Sequence, residues 1–287
     1  FQKLPEALKQ LNKLQVLKLK WNNLESLPQV LLELQNLKSL DLSDNKFSEF
    51  PTQALDIKQL EILKLERNAI PAIPASVSNL SNLRILSLWF NKIESLPSEI
   101  GQLSMLEELN VSNNELKSIP DSLTQCSSLR KLFLWSNKID SLPENTGKLM
   151  SLEKIGMKGN KLTHLPASIG KLEMLMEANF ANNQLDSLPA EIGQLIFLMK
   201  LDLSDNNLDS LPPEMGNMQS LEVLNLWNNN ISALPEEFGN LQYLRELDLG
   251  YNPVPESELK QIKAMLPDTK VLHLKPPREE EDKTQPA

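Results

Sequence analysis

Leu129-Arg130-Lys131-Leu132-Phe133-Leu134-Trp135-Ser136-Asn137-Lys138-Ile139-Asp140-Ser141-Leu142-Pro143 alternates leucines with exposed residues, closes on an asparagine and then meets a proline. The asparagine recurs every 23 residues, at Asn22, Asn45, Asn68, Asn91, Asn114, Asn137, Asn160, Asn183, Asn206, Asn229 and Asn252. Insertions or deletions would have broken that phase. A fixed short period sustained along the chain marks a solenoid of stacked units.

The local pattern states what each unit does. Leucine pairs such as Leu40 and Leu42, Leu86 and Leu88, or Leu224 and Leu226 are spaced by two, which predicts a short strand with one buried face. Strands that each lie one repeat after the last run parallel and stack into one sheet, and parallel strands need a return crossover. Stretches such as Leu165-Pro166-Ala167-Ser168-Ile169-Gly170-Lys171-Leu172 provide it. Proline follows the asparagine by six residues from Pro28 through Pro235, fixes φ, and predicts a 3₁₀ or α turn pinned by the apolar residue three later. The fold class is therefore α/β: a curved solenoid with a parallel sheet on the concave face and short turns or 3₁₀/α segments on the convex face. The asparagine carboxamide offers both a donor and an acceptor to chain turns that lack ladder partners, so its column reads as structural.

Four segments are expected: an incomplete half repeat over 1–13, eleven repeats over 14–254, a capping helix and short strand over 255–275, and a disordered acidic tail over 276–287. Leu259, Ile262 and Met265 carry the helical spacing, and Val271-Leu272-His273-Leu274 the strand.

Composition narrows the function. Forty per cent hydrophobic residues suffice for a continuous core, while Leu195-Ile196-Phe197-Leu198-Met199, the longest apolar run considered, ends at Lys200. That is far short of the ~20 residues of a membrane span. A formal net charge of −9 argues against general nucleic-acid binding. One cysteine excludes an intrachain disulfide, which points to a cytoplasmic protein or a secreted bacterial one, and a chain beginning at Phe1 leaves the compartment open.

The pattern resembles the leucine-rich repeat family, in its class of 23-residue units with a Leu-Pro-x-x-Ile-Gly-x-Leu crossover. The resemblance covers about residues 4–254 and is similar to arrays in Ras-pathway scaffolds, plant Ras-group-related proteins and bacteria, including spirochaetes. It implies the solenoid fold and a binding role, without specifying a partner.

Catalytic constellations are not expected. His164 and His273 lie about five units apart, too far for a shared zinc site or a nucleophile–base pair. Cys126 occupies the crossover slot of Leu103 and Leu149 and reads as a small core residue. Gly101, Gly147, Gly170, Gly193, Gly216 and Gly239 are one repeated turn position rather than a phosphate loop, and neither cofactor nor metal is expected. The glycosylation-type triplets at Asn79, Asn110 and Asn230 are chance products of an asparagine-rich chain.

Aromatic residues are scarce, at five per cent, yet they gather where the core does not call for them. The positions four and two before each asparagine are expected to face outward from the sheet. The second of these columns reads Lys20, Ser43, Glu66, Trp89, Ser112, Trp135, Lys158, Ala181, Ser204, Trp227 and Gly250. Phe133 stands in the companion column, and Phe90 and Tyr251 stand beside the asparagine. Trp89 and Trp135, two strands apart, predict a notch floored by Ser112, with Gly156 and Gly159 leaving room for a close approach. The expected function is a non-catalytic scaffold that binds a protein or extended peptide through Trp89, Phe90, Ser112, Phe133, Trp135, Lys158, Trp227 and Tyr251. Uneven charge, with Lys18, Lys20, Lys64 and Arg67 early and Asp202, Asp205 and Asp248 late, would orient that partner. Alternatives are a glycan-binding surface and the recognition fragment of a larger enzyme or signalling protein. A second apolar cluster, Met174, Met176, Ile196, Phe197 and Met199, suits an extended ligand surface or self-association of an otherwise monomeric chain, or else compensates for irregular packing near Ala178 and Phe180.

Overall fold

The computed structural model describes residues 5–274. Across them the array opens with β1 (Val16–Lys18), β2 (Ser39–Asp41), β3 (Ile62–Lys64), β4 (Ile85–Ser87), β5 (Glu108–Asn110) and β6 (Lys131–Phe133). It continues with β7 (Lys154–Gly156), β8 (Glu177–Asn179), β9 (Lys200–Asp202), β10 (Val223–Asn225), β11 (Glu246–Asp248) and β12 (Lys270–Leu272). These form one parallel sheet in chain order, with Leu132 opposite Ile155 and Leu224 opposite Leu247. Each step advances one repeat, so at ~4.8 Å per strand the sheet is about 50 Å long.

Short 3₁₀ helices return the chain, each opened by a residue whose φ suits the turn. Pro166 (φ −68°) precedes Ala167–Lys171, where the Ile169 N–H donates to the Pro166 carbonyl at 2.9 Å. Ile169 is fully buried, as the sequence requires of the residue that pins the crossover. Neighbouring crossovers touch through backbone: a β-carbon on Gly170 would strike the Glu191 carbonyl oxygen. Glycine at that position lets the turns stack closely.

The core is a column of leucines running the length of the array, among them Leu40, Leu63, Leu86, Leu109 and Leu132. Each such burial contributes roughly 1.5–3 kcal/mol. Ala178 breaks the pattern, and Phe180, buried next but one to it, is among the largest enclosed side chains. Helix α1 (Glu256–Met265) follows the last repeat strand, and its Leu259 and Ile262 join the core. The acidic stretch 276–287 lies outside the described residues, as do residues 1–4 of the half repeat.

The asparagine column ties units together as well as closing turns. Asn137 Oδ1 accepts from the Leu116 N–H at 3.0 Å, one unit back. Its Nδ2 donates to the carbonyls of Leu134 and Val111, each at 3.0 Å. The same pattern recurs at Asn114, Asn183 and Asn206.

One feature of the turn is absent from the hydrophobic pattern. The residue before each asparagine adopts a left-handed backbone: Trp21, Asp44, Arg67, Phe90, Asn113, Ser136, Gly159, Asn182, Asp205, Asn228 and Tyr251 all have positive φ. Asparagine, aspartate and glycine suit this conformation, whereas a bulky aromatic is strained there.

Candidate functional site

The strands begin, and end, one residue earlier than the leucine pairs imply. They span the residues six to four before each asparagine, so a third outward column joins the sheet face: Lys131, Lys154, Glu177, Lys200, Val223 and Glu246. The period-two rule extends to that column, but its charged residues lie outside the leucine pair. The column two before the asparagine falls past the strand end and is partly enclosed. Trp135 is 42% exposed, whereas Ser43, Ser112 and Ala181 are buried.

This corrects the expected role of Ser112. Its hydroxyl accepts from the Trp135 N–H at 3.2 Å and is covered by its neighbours, so Ser112 supports the chain rather than flooring an open notch. Gly156 is corrected too. The space above it is filled by the indole of Trp135, which a β-carbon at Gly156 would strike. Trp227 likewise leans toward Gly250, where a β-carbon would come 2.8 Å from the ring.

The aromatics form three pairs rather than one stripe. Phe133 and Trp135 have ring centroids 5.4 Å apart, and Trp227 and Tyr251 5.0 Å. Trp89 and Phe90 meet edge to face at 6.1 Å, and the Arg67 guanidinium lies 4.6 Å from the Trp89 centroid and 5.3 Å from that of Phe90. That cation occupies ring surface a ligand would otherwise use. Trp135 carries no such cover among the described residues.

Beside Trp135 the sheet face holds a groove of about 320 Å³ that crosses β6 to β10. Phe133 and Trp135, the latter seated on Gly156, form its wall, the small Ala178 lies beyond them, and Lys154, Glu177, Asn179, Lys200, Asp202 and Asn225 line it. Lys154 pairs with Glu177 at 3.0 Å. Asp202 accepts from Asn179 Nδ2 at 3.3 Å and from the Ser204 hydroxyl at 2.7 Å. Lys200 makes no ion pair among the described residues, which leaves an available cation in the groove. Lys158 is exposed but is not among the residues that line the groove.

The charge gradient is weaker than the sequence suggests, because its members are engaged locally. Asp44 lies 3.5 Å from Lys20 and 4.0 Å from Arg67, and the late Asp248 accepts from the Gly250 N–H at 2.8 Å.

Along the rim where the strands begin, oppositely charged residues of successive units pair. Lys38 meets Glu61 at 2.8 Å, Arg84 meets Glu107, Arg130 Nε donates to Glu153 at 2.8 Å, and Arg245 lies 3.6 Å from Glu222. The hydrogen bond from Lys38 holds the Glu61 carboxyl below its usual value, and donating to the Glu153 carboxylate raises the Arg130 guanidinium. Met176 and Met199 take the same slots in the next two units. Met174, Ile196 and Phe197 are exposed around them, as is Tyr243, which the sequence reading missed. Tyr243 stands nine before its asparagine, the column of Phe197, and that shared spacing was the signal for it.

Among the described residues no group of three or more His, Cys, Asp and Glu side chains is placed to hold a metal ion, and no helix is long and apolar enough to cross a membrane. Cys126 is buried, with its thiol donating to the Ile100 carbonyl at 3.2 Å.

A parallel sheet in chain order with asparagine-closed turns and an open face defines a repeat-built solenoid. Family models agree in kind: one described as leucine-rich repeat region matches residues 74–156, and one described as leucine rich repeat matches 35–93 and 197–254. A solved leucine-rich repeat protein of Leptospira interrogans is 29% identical, with a TM-score of 0.68 over 94% of this chain and 81% of that one. The plant peptide hormone receptor RGFR1, solved in complex with RGF2, is 29% identical, with a TM-score of 0.73 over 92% of this chain and 48% of the receptor. A TDR receptor is 28% identical, with a TM-score of 0.80 over 91% of this chain and 47% of that one. This chain thus spans about half the length of either receptor. No curated protein matches it. The chain is a leucine-rich repeat protein.

Proposed function

We propose that the chain is a non-catalytic recognition scaffold that holds a protein segment or extended peptide along its sheet face. The groove beside Trp135 is the centre of that surface. The observation that carries this reading is the placement of Trp135: its ring rests on Gly156, stays exposed, and walls a groove lined by side chains of both charges. A rigid aromatic shelf beside engaged polar groups gives contact area at little entropic loss. An extended ligand would cover the Phe133–Trp135 pair, with Lys200 and Lys158 meeting its acidic or carbonyl groups, and would reach Trp227 and Tyr251 farther along the sheet. Trp89 and Phe90, with Arg67 over them, would contribute at the other end. Support also comes from the receptor RGFR1, a similar array solved with the ligand RGF2.

A glycan reading is favoured by one observation: Asn179, Asp202 and Asn225 lie in the same groove as the Trp135 ring, the arrangement a sugar face and its hydroxyls would use. Capture of protein ligands beside a glycan array, with wild type and Trp135→Ala, separates the two. Protein ligands lost on Trp135→Ala support the scaffold reading; glycans alone would replace it.

A further inference from the structure

We propose that the rim of the eighth to eleventh units is a second docking surface, separate from the sheet-face groove, which takes a protein segment presenting an arginine or lysine side chain. The rim's charge ladder gives the first reason. Lys38–Glu61, Arg84–Glu107 and Arg130–Glu153 fill its slots in order, and Glu222–Arg245 resumes it, but between them stand Met176 and Met199. Where the ladder's order would place an ion pair stand two exposed thioethers, which pack adaptably against apolar partners.

The second reason is the shape beside them. Phe197 and Tyr243 occupy one column two units apart, hence about 10 Å between their backbones, and Ser220 lies between. Together with Met176, Met199 and Glu222 they line an open surface pocket of about 420 Å³. Neither aromatic ring meets another ring or a cation among the described residues. Two aromatic walls accept the methylene stem of a basic side chain, and a carboxylate accepts its charged head.

Charge complementarity selects the occupant. Among the described residues the Glu222 carboxylate has only the 3.6 Å contact with Arg245, whose side chain is 74% exposed, so it is the most loosely paired of this ladder. A second copy of the chain fits less well. Along the rim the order Arg130, Glu153, Met176, Met199, Glu222, Arg245 reads the same from either end. Two antiparallel copies centred on the methionines would therefore set Glu153 against Glu222 and Arg130 against Arg245.

The test uses the full chain with ¹³C-labelled methionine methyls, assigned through Met176→Leu and Met199→Leu. It is titrated with N-acetyl-Leu-Arg-Leu-amide and with the peptide in which neutral citrulline replaces arginine. The arginine peptide is expected to shift the Met176 and Met199 methyls saturably and to bind about tenfold more tightly than the citrulline peptide. Glu222→Gln should abolish that difference. Tyr243→Ser, which restores the residue found at Ser128, Ser151 and Ser220, should weaken the arginine peptide at unchanged melting temperature. Trp135→Ala should alter none of this, which separates the rim from the sheet-face groove. Equal binding of the two peptides, or shifts that never saturate, would overturn the proposal. Methyl lines that broaden with protein concentration in the absence of peptide would assign the surface to a second copy instead.

Discussion

The indole of Trp135 and the bare Cα of Gly156 share one space: the ring leans from one unit onto the next, where any β-carbon would collide with it. The exposure of the largest aromatic at the groove thus depends on a residue 21 positions later. Gly156→Ala is expected to leave the array folded, because φ at Gly156 is not in the left-handed region, but to push the ring off its seat. Tryptophan emission should shift, and ligand affinity should fall by an amount close to that of Trp135→Ala. An unchanged emission spectrum would show that the ring does not rest there.

Removing a member of the asparagine column should act on stability alone. Asn137→Ala strands the Leu116 N–H inside the array and takes one of two donors from each of the Val111 and Leu134 carbonyls, which keep those of Asn114 and Asn160. Equilibrium denaturation should register a loss of about 1–3 kcal/mol. A variant as stable as wild type would contradict the structural role of the column.

Phe90 should behave in the opposite sense. It is exposed, with φ of 61°, at a position where Asn113, Asn182 and Asn228 stand in other units. Phe90→Asn should gain up to about 1 kcal/mol by relieving the left-handed strain, with a smaller loss from the edge contact with Trp89. Denaturation midpoints decide this; a clear fall in stability would show that the Arg67 and Trp89 contacts outweigh the backbone term.

Cys126 should be inert while the chain is folded. Burial pushes its thiol up to about 12, above the value near 8.5 of an unfolded chain. The folded value is the raised one, so its contribution to stability is complete below about pH 8.5 and falls as pH climbs toward 12. Iodoacetamide at pH 8 is expected to label it only in denaturant. Rapid labelling of native protein would contradict the packing described here.

The period made most of the fold legible before any coordinates: twenty-three residues per unit, leucines two apart and a proline six after the asparagine determine strand, crossover and stacking direction. What stayed hidden has physical causes. The outward column holding Lys154, Glu177 and Lys200 lies one residue before the leucine pair, and the groove follows that column. The direction in which Trp135 leans is a rotamer choice that no hydrophobic pattern encodes. The left-handed turn residue was veiled because Trp21, Arg67, Phe90 and Tyr251 stand beside Asp44, Asn113 and Gly159, residues that suit it, in one column. Tyr243 was missed because its column is serine or asparagine in many units, so the match with Phe197 appears only when units are aligned at that position.

The most direct test of the account is to immobilise wild type and Trp135→Ala side by side, confirm equal melting temperatures, and compare the protein ligands each retains and their affinities. The account predicts ligands that wild type holds and Trp135→Ala binds about tenfold or more weakly. Ligands held equally by both proteins would contradict recognition at the groove.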